Sequence, residues 1–115
     1  MSTIHHGIDE KFLESSQADG KKFVIIFFMT NCQYCNEVFD ETIRMYDSIS
    51  KTGYDLMYMD LGDHLSVAEK YSIMKVPVWM VFHGDLIIER IDAYDKEFIQ
   101  RIKLSVIFSD KLKEQ

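Results

Sequence analysis

The two cysteines of this chain stand three residues apart, as Cys32-Gln33-Tyr34-Cys35. A pair at this spacing can carry disulfide exchange: a thiolate attacks a disulfide sulfur, and a second thiol nearby resolves the product. The pair follows the apolar run Phe23-Val24-Ile25-Ile26-Phe27-Phe28-Met29. A strand therefore delivers a dithiol to the first turn of a helix. The unpaired N–H groups and partial positive charge of that turn favour thiolate over thiol. The competing readings are a metal site or inert thiols. Structural zinc takes four ligands, often as two such pairs. Here there is no second CxxC and no His-x3-His; His64 and His83 stand alone, and His5-His6 lie in a polar stretch. The expectation is redox chemistry with no metal and no organic cofactor, the Cys32–Cys35 disulfide being the redox group.

The elements that must position this pair follow from the patterning. Residues 1–7 are polar and read as a flexible arm. Ile8 to about Ala18 predicts a short helix with Ile8, Phe12 and Leu13 on one side, ended by Asp19-Gly20-Lys21. Residues 22–29 are almost continuously apolar, as in a central strand buried on both faces. From Cys32 to about Ser50, the positions Cys35, Val38, Phe39, Thr42, Tyr46 and Ile49 recur at helical spacing. Glu37, Asp40, Glu41 and Arg44 turn outward, and Thr30 or Asn31 supplies the N-cap. Lys51-Thr52-Gly53 closes this helix, and Tyr54 to Asp60 is a second strand, giving a right-handed parallel crossover.

His64 to Ser72 predicts a short helix with Leu65, Ala68 and Tyr71 inward. Two strands, 78–82 and 86–91, flank His83-Gly84-Asp85 and form a hairpin, with Trp79 in the core. Asp95 to about Lys113 is a final helix whose apolar face holds Phe98, Ile99, Ile102 and Val106. The sum is an α/β fold: an extra N-terminal helix, then β-α-β-α-β-β-α. That order makes a central mixed four-stranded sheet with helices on both faces, in a single domain spanning 1–115.

Composition narrows the function. Apolar residues make up 47% of the 115, including eight Phe, six Tyr and one Trp, which is enough for one globular core. The net charge of −6, with no Lys or Arg run, argues against nucleic acid as a partner. Acidic residues such as Glu10, Glu14, Asp40, Glu41 and Glu97 read as a solvated surface. No apolar stretch approaches the roughly 20 residues of a membrane span, and no signal-peptide pattern opens the sequence. Taken as written the chain is expected in the cytoplasm, or in the periplasm if an export signal precedes it.

The element order, with CxxC at the end of the first core strand, resembles the thioredoxin fold. A second mark is Lys75-Val76-Pro77-Val78, in which Pro77 is the only proline of the chain. The resemblance implies a cis-proline facing the dithiol. The stretch from Ala68 to Pro77 and the segment Val81-Phe82-His83-Gly84-Asp85 are similar to the family's helix-to-strand passage and hairpin. The likeness covers about residues 8–113. The Cys-x-Tyr-Cys form and Arg90-Ile91-Asp92-Ala93-Tyr94 further resemble SoxW-like bacterial thioredoxin-related proteins, many of which are exported.

The departures are specific. Common thioredoxins read Trp-Cys-Gly-Pro-Cys; here Asn31 precedes the pair and Gln33-Tyr34 lies inside it. Ile26 stands where thioredoxins hold a buried Asp, Leu56 stands where they hold a nearby Lys, and Asp92 replaces a loop Gly. The resemblance implies a thiol–disulfide oxidoreductase, specialised rather than general, with a protein-binding module of weak redox activity as the alternative. Cys32, at the helix start, is the nucleophile; Cys35, one turn in on the same face, is the resolving thiol. Gln33 and Tyr34 tune the thiolate, and CxxC oxidoreductases span on the order of 150 mV by such tuning. Asn31, Val76, Pro77 and Asp92 are the expected substrate-binding residues, with Val76 offering main-chain hydrogen bonds to a substrate strand. The expected partners are protein disulfides or dithiols and an electron donor, and the expected state is a monomer.

Overall fold

The computed structural model describes residues 4–44, 46–51, 53–92 and 101. Its architecture is organised by strand β2 (Lys22–Phe28), whose residues Phe23 to Phe27 are all fully buried. Such a run has no face to give to water, so it must lie inside a sheet covered on both sides. It does: β1 (Ile4–His5), β3 (Asp55–Asp60), β4 (Val78–His83) and β5 (Leu86–Asp92) assemble around it in the order β1-β3-β2-β4-β5. β1 and β2 both run parallel to β3, whereas β4 runs antiparallel to β2 and β5 antiparallel to β4.

Because side chains alternate along a strand, each strand feeds two cores. Val24 and Ile26 join Tyr54, Leu56, Tyr58, Trp79, Val81 and Ile91 on one face. Phe23, Ile25 and Phe27 join Met57, Met59, Val78, Met80 and Phe82 on the other. Helix α2 (Gln33–Arg44) closes the first face through Val38, with Phe39 packed alongside. Helices α1 (Glu10–Ala18) and α4 (Leu65–Lys70) close the second through Leu13 and Val67. Helix α3 (Tyr46–Lys51) adds Tyr46 to the α2 side.

Local chemistry sets the ends. The Asp9 carboxylate accepts the Phe12 N–H at 2.8 Å and caps α1. At its other end Gly20, at φ +69°, lets the Gly20 and Lys21 N–H groups return to the Gln17 and Ser16 carbonyls at 3.1 Å. These are the paired bonds of a Schellman ending. The β4–β5 hairpin packs onto this corner. Gly84 donates to the Lys21 carbonyl at 2.8 Å, and a Cβ at Gly84 would meet Gln17 O and Gly20 Cα at 3.3 Å.

Three expectations need correcting. The sheet has five strands, because Ile4 and His5 pair with Leu56 and Met57 instead of belonging to a loose arm over 1–7. The Ile8 N–H extends this attachment by donating to the Tyr58 carbonyl at 3.0 Å. The first helix begins at Glu10, so Ile8 is buried ahead of it rather than within it. In α4 Val67, 1% exposed, turns inward in place of Leu65, which is 69% exposed, while Ala68 and Tyr71 pack against the core as expected. Helices α2 and α3 lie within the span expected to be helical from Cys32 to about Ser50, and Met45 between them lies outside the described residues. The expected final helix from Asp95 to about Lys113, with Phe98, Ile99, Ile102 and Val106, also lies outside them except for Arg101. Among the described residues, no helix is long and apolar enough to cross a membrane.

Two polar atoms interrupt the core on the α2 face. The Tyr58 hydroxyl and the Trp79 indole N–H are buried without a hydrogen-bond partner. Both flank Ile26, which is opposite Tyr58 on one side and Trp79 on the other. Burial, and then the Asp40 carboxylate, push the Tyr58 phenol well above the ordinary tyrosine range. An unbonded buried hydroxyl costs about 1–3 kcal/mol. Tyr58→Phe is therefore expected to stabilise the fold by about 1 kcal/mol in chemical denaturation at neutral pH. The pH dependence has a fixed sign. Above about pH 10 the unfolded chain releases this proton while the native protein retains it, so stability present below that pH is lost as pH rises. Tyr58→Phe should flatten the decline; a profile identical to that of the parent would refute the assignment.

Candidate active site

The C-terminal ends of β2 and β3 and the N-terminal end of β4 meet at one edge of the sheet. Phe27 is opposite Val78 and Phe28 is opposite Asp60, so the register sets Pro77 beside the point where β2 leaves the sheet. The chain then turns through Met29, Thr30 and Asn31 into α2. Thr30 Oγ1 donates to Asp60 Oδ2 at 2.9 Å, while Asp60 Oδ1 accepts the Gly62 N–H at 2.8 Å. One carboxylate thus fixes the exit of β2 against the exit of β3. Asn31 takes φ +67°, a left-handed conformation that Asn tolerates better than most residues.

Cys32 occupies the N-cap position of α2. Its carbonyl accepts the Asn36 N–H at 3.3 Å, and its Sγ accepts the Cys35 N–H at 3.1 Å. A capping side chain receives an otherwise orphaned N–H of the first turn in this way. Neither Thr30 nor Asn31, the expected caps, has this role; the sulfur takes it. Cys32 and Cys35 are joined in a disulfide with Cα atoms 5.2 Å apart. Cys32 is half-buried, whereas Cys35 is 3% exposed. The two sulfurs therefore differ in access, with the outer one held against backbone N–H groups that favour its thiolate when the bond opens.

The remaining expected residues fall into three groups. Asn31, Gln33 and Tyr34 are exposed around the disulfide. Val76 is half-buried and Pro77 buried in the passage from α4 to β4, and the Val76–Pro77 peptide bond is cis. Asp92 ends β5 opposite Val78, so it sits in a strand rather than a loop, with its carboxylate 2.9 Å from Arg90 Nε. Ile26 is a hydrocarbon side chain in this part of the core, with the unbonded Tyr58 and Trp79 groups beside it. A groove of about 300 Å³ runs along α2, lined by Tyr34, Glu37, Val38, Asp40, Glu41 and Arg44, without either cysteine. Among the described residues no group of three or more His, Cys, Asp or Glu side chains could hold a metal ion.

Sequence reasoning missed the Thr30–Asp60 tie and the bonds of Arg90. A hydroxyl at the end of one apolar strand and an Asp at the end of the next was the only signal for the first.

This strand order, with a disulfide at the start of the helix after the central strand, is the thioredoxin fold. Solved structures agree in shape over almost the whole chain. The thioredoxin of Malassezia sympodialis matches with a TM-score of 0.77 at 14% identity, covering 96% of this chain and 91% of its own. Thioredoxin O2 from Arabidopsis thaliana, in its oxidised state, matches with a TM-score of 0.74 at 17% identity, covering 94% of each chain. Oxidised mitochondrial thioredoxin 3 from Saccharomyces cerevisiae gives 0.73 at 11% identity, again over 94% of each. No protein-family model and no curated protein matches in sequence.

The unequal burial of the two sulfurs is measurable. After reduction, iodoacetamide is expected to alkylate Cys32 at least about tenfold faster than Cys35, since reactivity follows thiolate character and access. Peptide mapping of the labelled protein reads this directly. Equal rates would contradict the capped, accessible position of Cys32.

Proposed function

We propose that this protein is a thiol–disulfide oxidoreductase that exchanges disulfides with protein substrates through Cys32 and Cys35. The observation that carries the reading is the disulfide itself, built on the N-cap of α2 with one sulfur accessible and one buried. In the reduced form, the Cys32 thiolate attacks a substrate disulfide. An S–S bond forms between Cys32 and substrate, and the substrate's second sulfur leaves as a thiolate. Cys35, deprotonated, then attacks Cys32 Sγ. The mixed disulfide breaks, the Cys32–Cys35 bond forms, and the substrate is released as a dithiol with two electrons gained. Run backwards, the same steps oxidise a substrate dithiol. A separate electron donor must reduce the Cys32–Cys35 bond for turnover as a reductase. In a reducing cytoplasm the balance favours reduction of substrates, and in an exported setting a membrane-linked donor or acceptor would set the direction.

Gln33 and Tyr34 tune the Cys32 thiolate from the exposed first turn. Asn31, Val76 and Pro77 receive the substrate, an extended segment pairing with the Val76 main chain. Apolar side chains exposed in these same loops and turn, Met29 at 41%, Tyr34 at 38% and Met74 at 90%, suit a protein client better than a small polar molecule. The protein acts as one domain and as a monomer.

One observation favours a second reading, a protein-binding module with weak redox turnover. Ile26 is a buried hydrocarbon at the position where, by the thioredoxin resemblance, an Asp would assist proton transfer from Cys35. Resolution of mixed disulfides is therefore expected to be slower than in a thioredoxin bearing that acid. Reduction of insulin disulfides by dithiothreitol separates the readings. Turnover that is abolished by Cys32→Ser, with a substrate-linked species trapped by Cys35→Ser, supports the oxidoreductase. Absence of turnover in a protein whose Cys32 alkylates readily would leave the binding module.

A further inference from the structure

The passage from α4 to β4, residues 71–77, carries Val76 and Pro77, two of the proposed substrate-binding residues, and it begins under strain. Helix α4 ends in a Schellman pair: Ser72 N–H donates to Glu69 O at 3.1 Å and Ile73 N–H to Ala68 O at 2.8 Å. That ending requires a left-handed residue and is normally made by Gly. Here Ser72 takes it, at φ +52°. Ile73 and Val76 pack partly against the core, but Met74 and Lys75 between them are exposed, so the middle of the passage has little packing of its own.

Arg90 reaches this strained start from the neighbouring edge strand. Its two terminal nitrogens donate separately, one to the Tyr71 carbonyl and the other to the Ser72 carbonyl at 3.1 Å. Its Nε donates to Asp92 Oδ1 at 2.9 Å, which aims the planar fork. Asp92 is opposite Val78, the residue directly after Pro77. The guanidinium therefore ties the first residues of the passage to the strand that pairs with its end. The pair is only partly exposed, at 32% for Arg90 and 28% for Asp92. The ring of Tyr71 is fixed independently, against Phe27 and Phe82 and by a hydrogen bond from Gln17, so Arg90 acts on the backbone beyond it.

We propose that Arg90 is a positioning residue for substrate recognition: aimed by Asp92, it holds the 72–77 main chain in the conformation that receives a polypeptide disulfide. It touches neither sulfur and contributes nothing to their intrinsic reactivity. This inference rests on the oxidoreductase reading above, and it predicts a split between substrates. A protein disulfide needs the passage, whereas a small disulfide needs only access to Cys32.

The test compares Arg90→Gln and Arg90→Lys with the parent on insulin and on hydroxyethyl disulfide, with thermal melting as the fold control. Lysine keeps the charge but lacks the fork, so it should not rescue. Both variants are expected to lose about tenfold in kcat/KM on insulin, mostly through KM, with less than a twofold change on hydroxyethyl disulfide. Amide hydrogen exchange at Ile73 to Val76 should quicken by about tenfold in both variants. Unchanged exchange in that segment would overturn the proposal, as would equal losses on the two disulfides or no loss on insulin. A parent inert towards both disulfides would refute the oxidoreductase reading and the recognition role with it, while exchange would still show whether Arg90 holds the passage.

Discussion

Burial of β2 on both faces is the constraint from which the rest of the molecule follows. Five consecutive residues with no exposed side chain oblige the chain to supply a strand on each side and a helical layer above and below. β3 and β4 provide the flanks in opposite senses, one parallel and one antiparallel. That mixture brings the end of β2, the end of β3 and the start of β4 to the same edge. Strand direction makes the dithiol turn, the Asp60 carboxylate and Pro77 neighbours, and the Thr30–Asp60 hydrogen bond then ties the first two together.

Within that frame the chemistry depends on a helix terminus. The first turn of α2 has N–H groups that its own backbone cannot satisfy. Nature usually caps such a turn with oxygen; here the Cys32 sulfur receives the bond instead. The same atom is the end of a helix and the outer half of a disulfide. Local helix energetics and sulfur reactivity are therefore coupled at a single position.

Much of this was legible in the sequence, and the gaps have physical causes. The β2 run and the CxxC after it are contiguous, so the strand-to-dithiol unit could be read directly, as could the Gly20 corner and the Gly84 hairpin. β1 was not legible, because Ile4 and His5 are too few to show a period and gain their strand character only from pairing with Leu56 and Met57. Six-residue α4 offered too little repeat to choose between Leu65 and Val67 as its inward residue. The sulfur cap was missed because capping rules look for an oxygen acceptor at Ser, Thr, Asp or Asn, and Cys32 stands one place beyond Thr30 and Asn31. The bonds of Arg90 join segments eighteen and nineteen residues apart, beyond anything local pattern can report. Asp92 was read as a loop residue from resemblance alone, whereas pairing with Val78 keeps it in the sheet.

The dithiol and the passage opposite it come from different parts of the chain. Residues 30–38 carry both sulfurs on one uninterrupted turn and helix, while residues 72–77 arrive through a later crossover and are held by the outermost described strand. The two ends of the site are thus written in separate stretches, joined through the sheet. A substitution at an exposed position such as Met74 or Lys75 therefore leaves the turn that carries the sulfurs unaltered, and the two sides of the site can change one at a time.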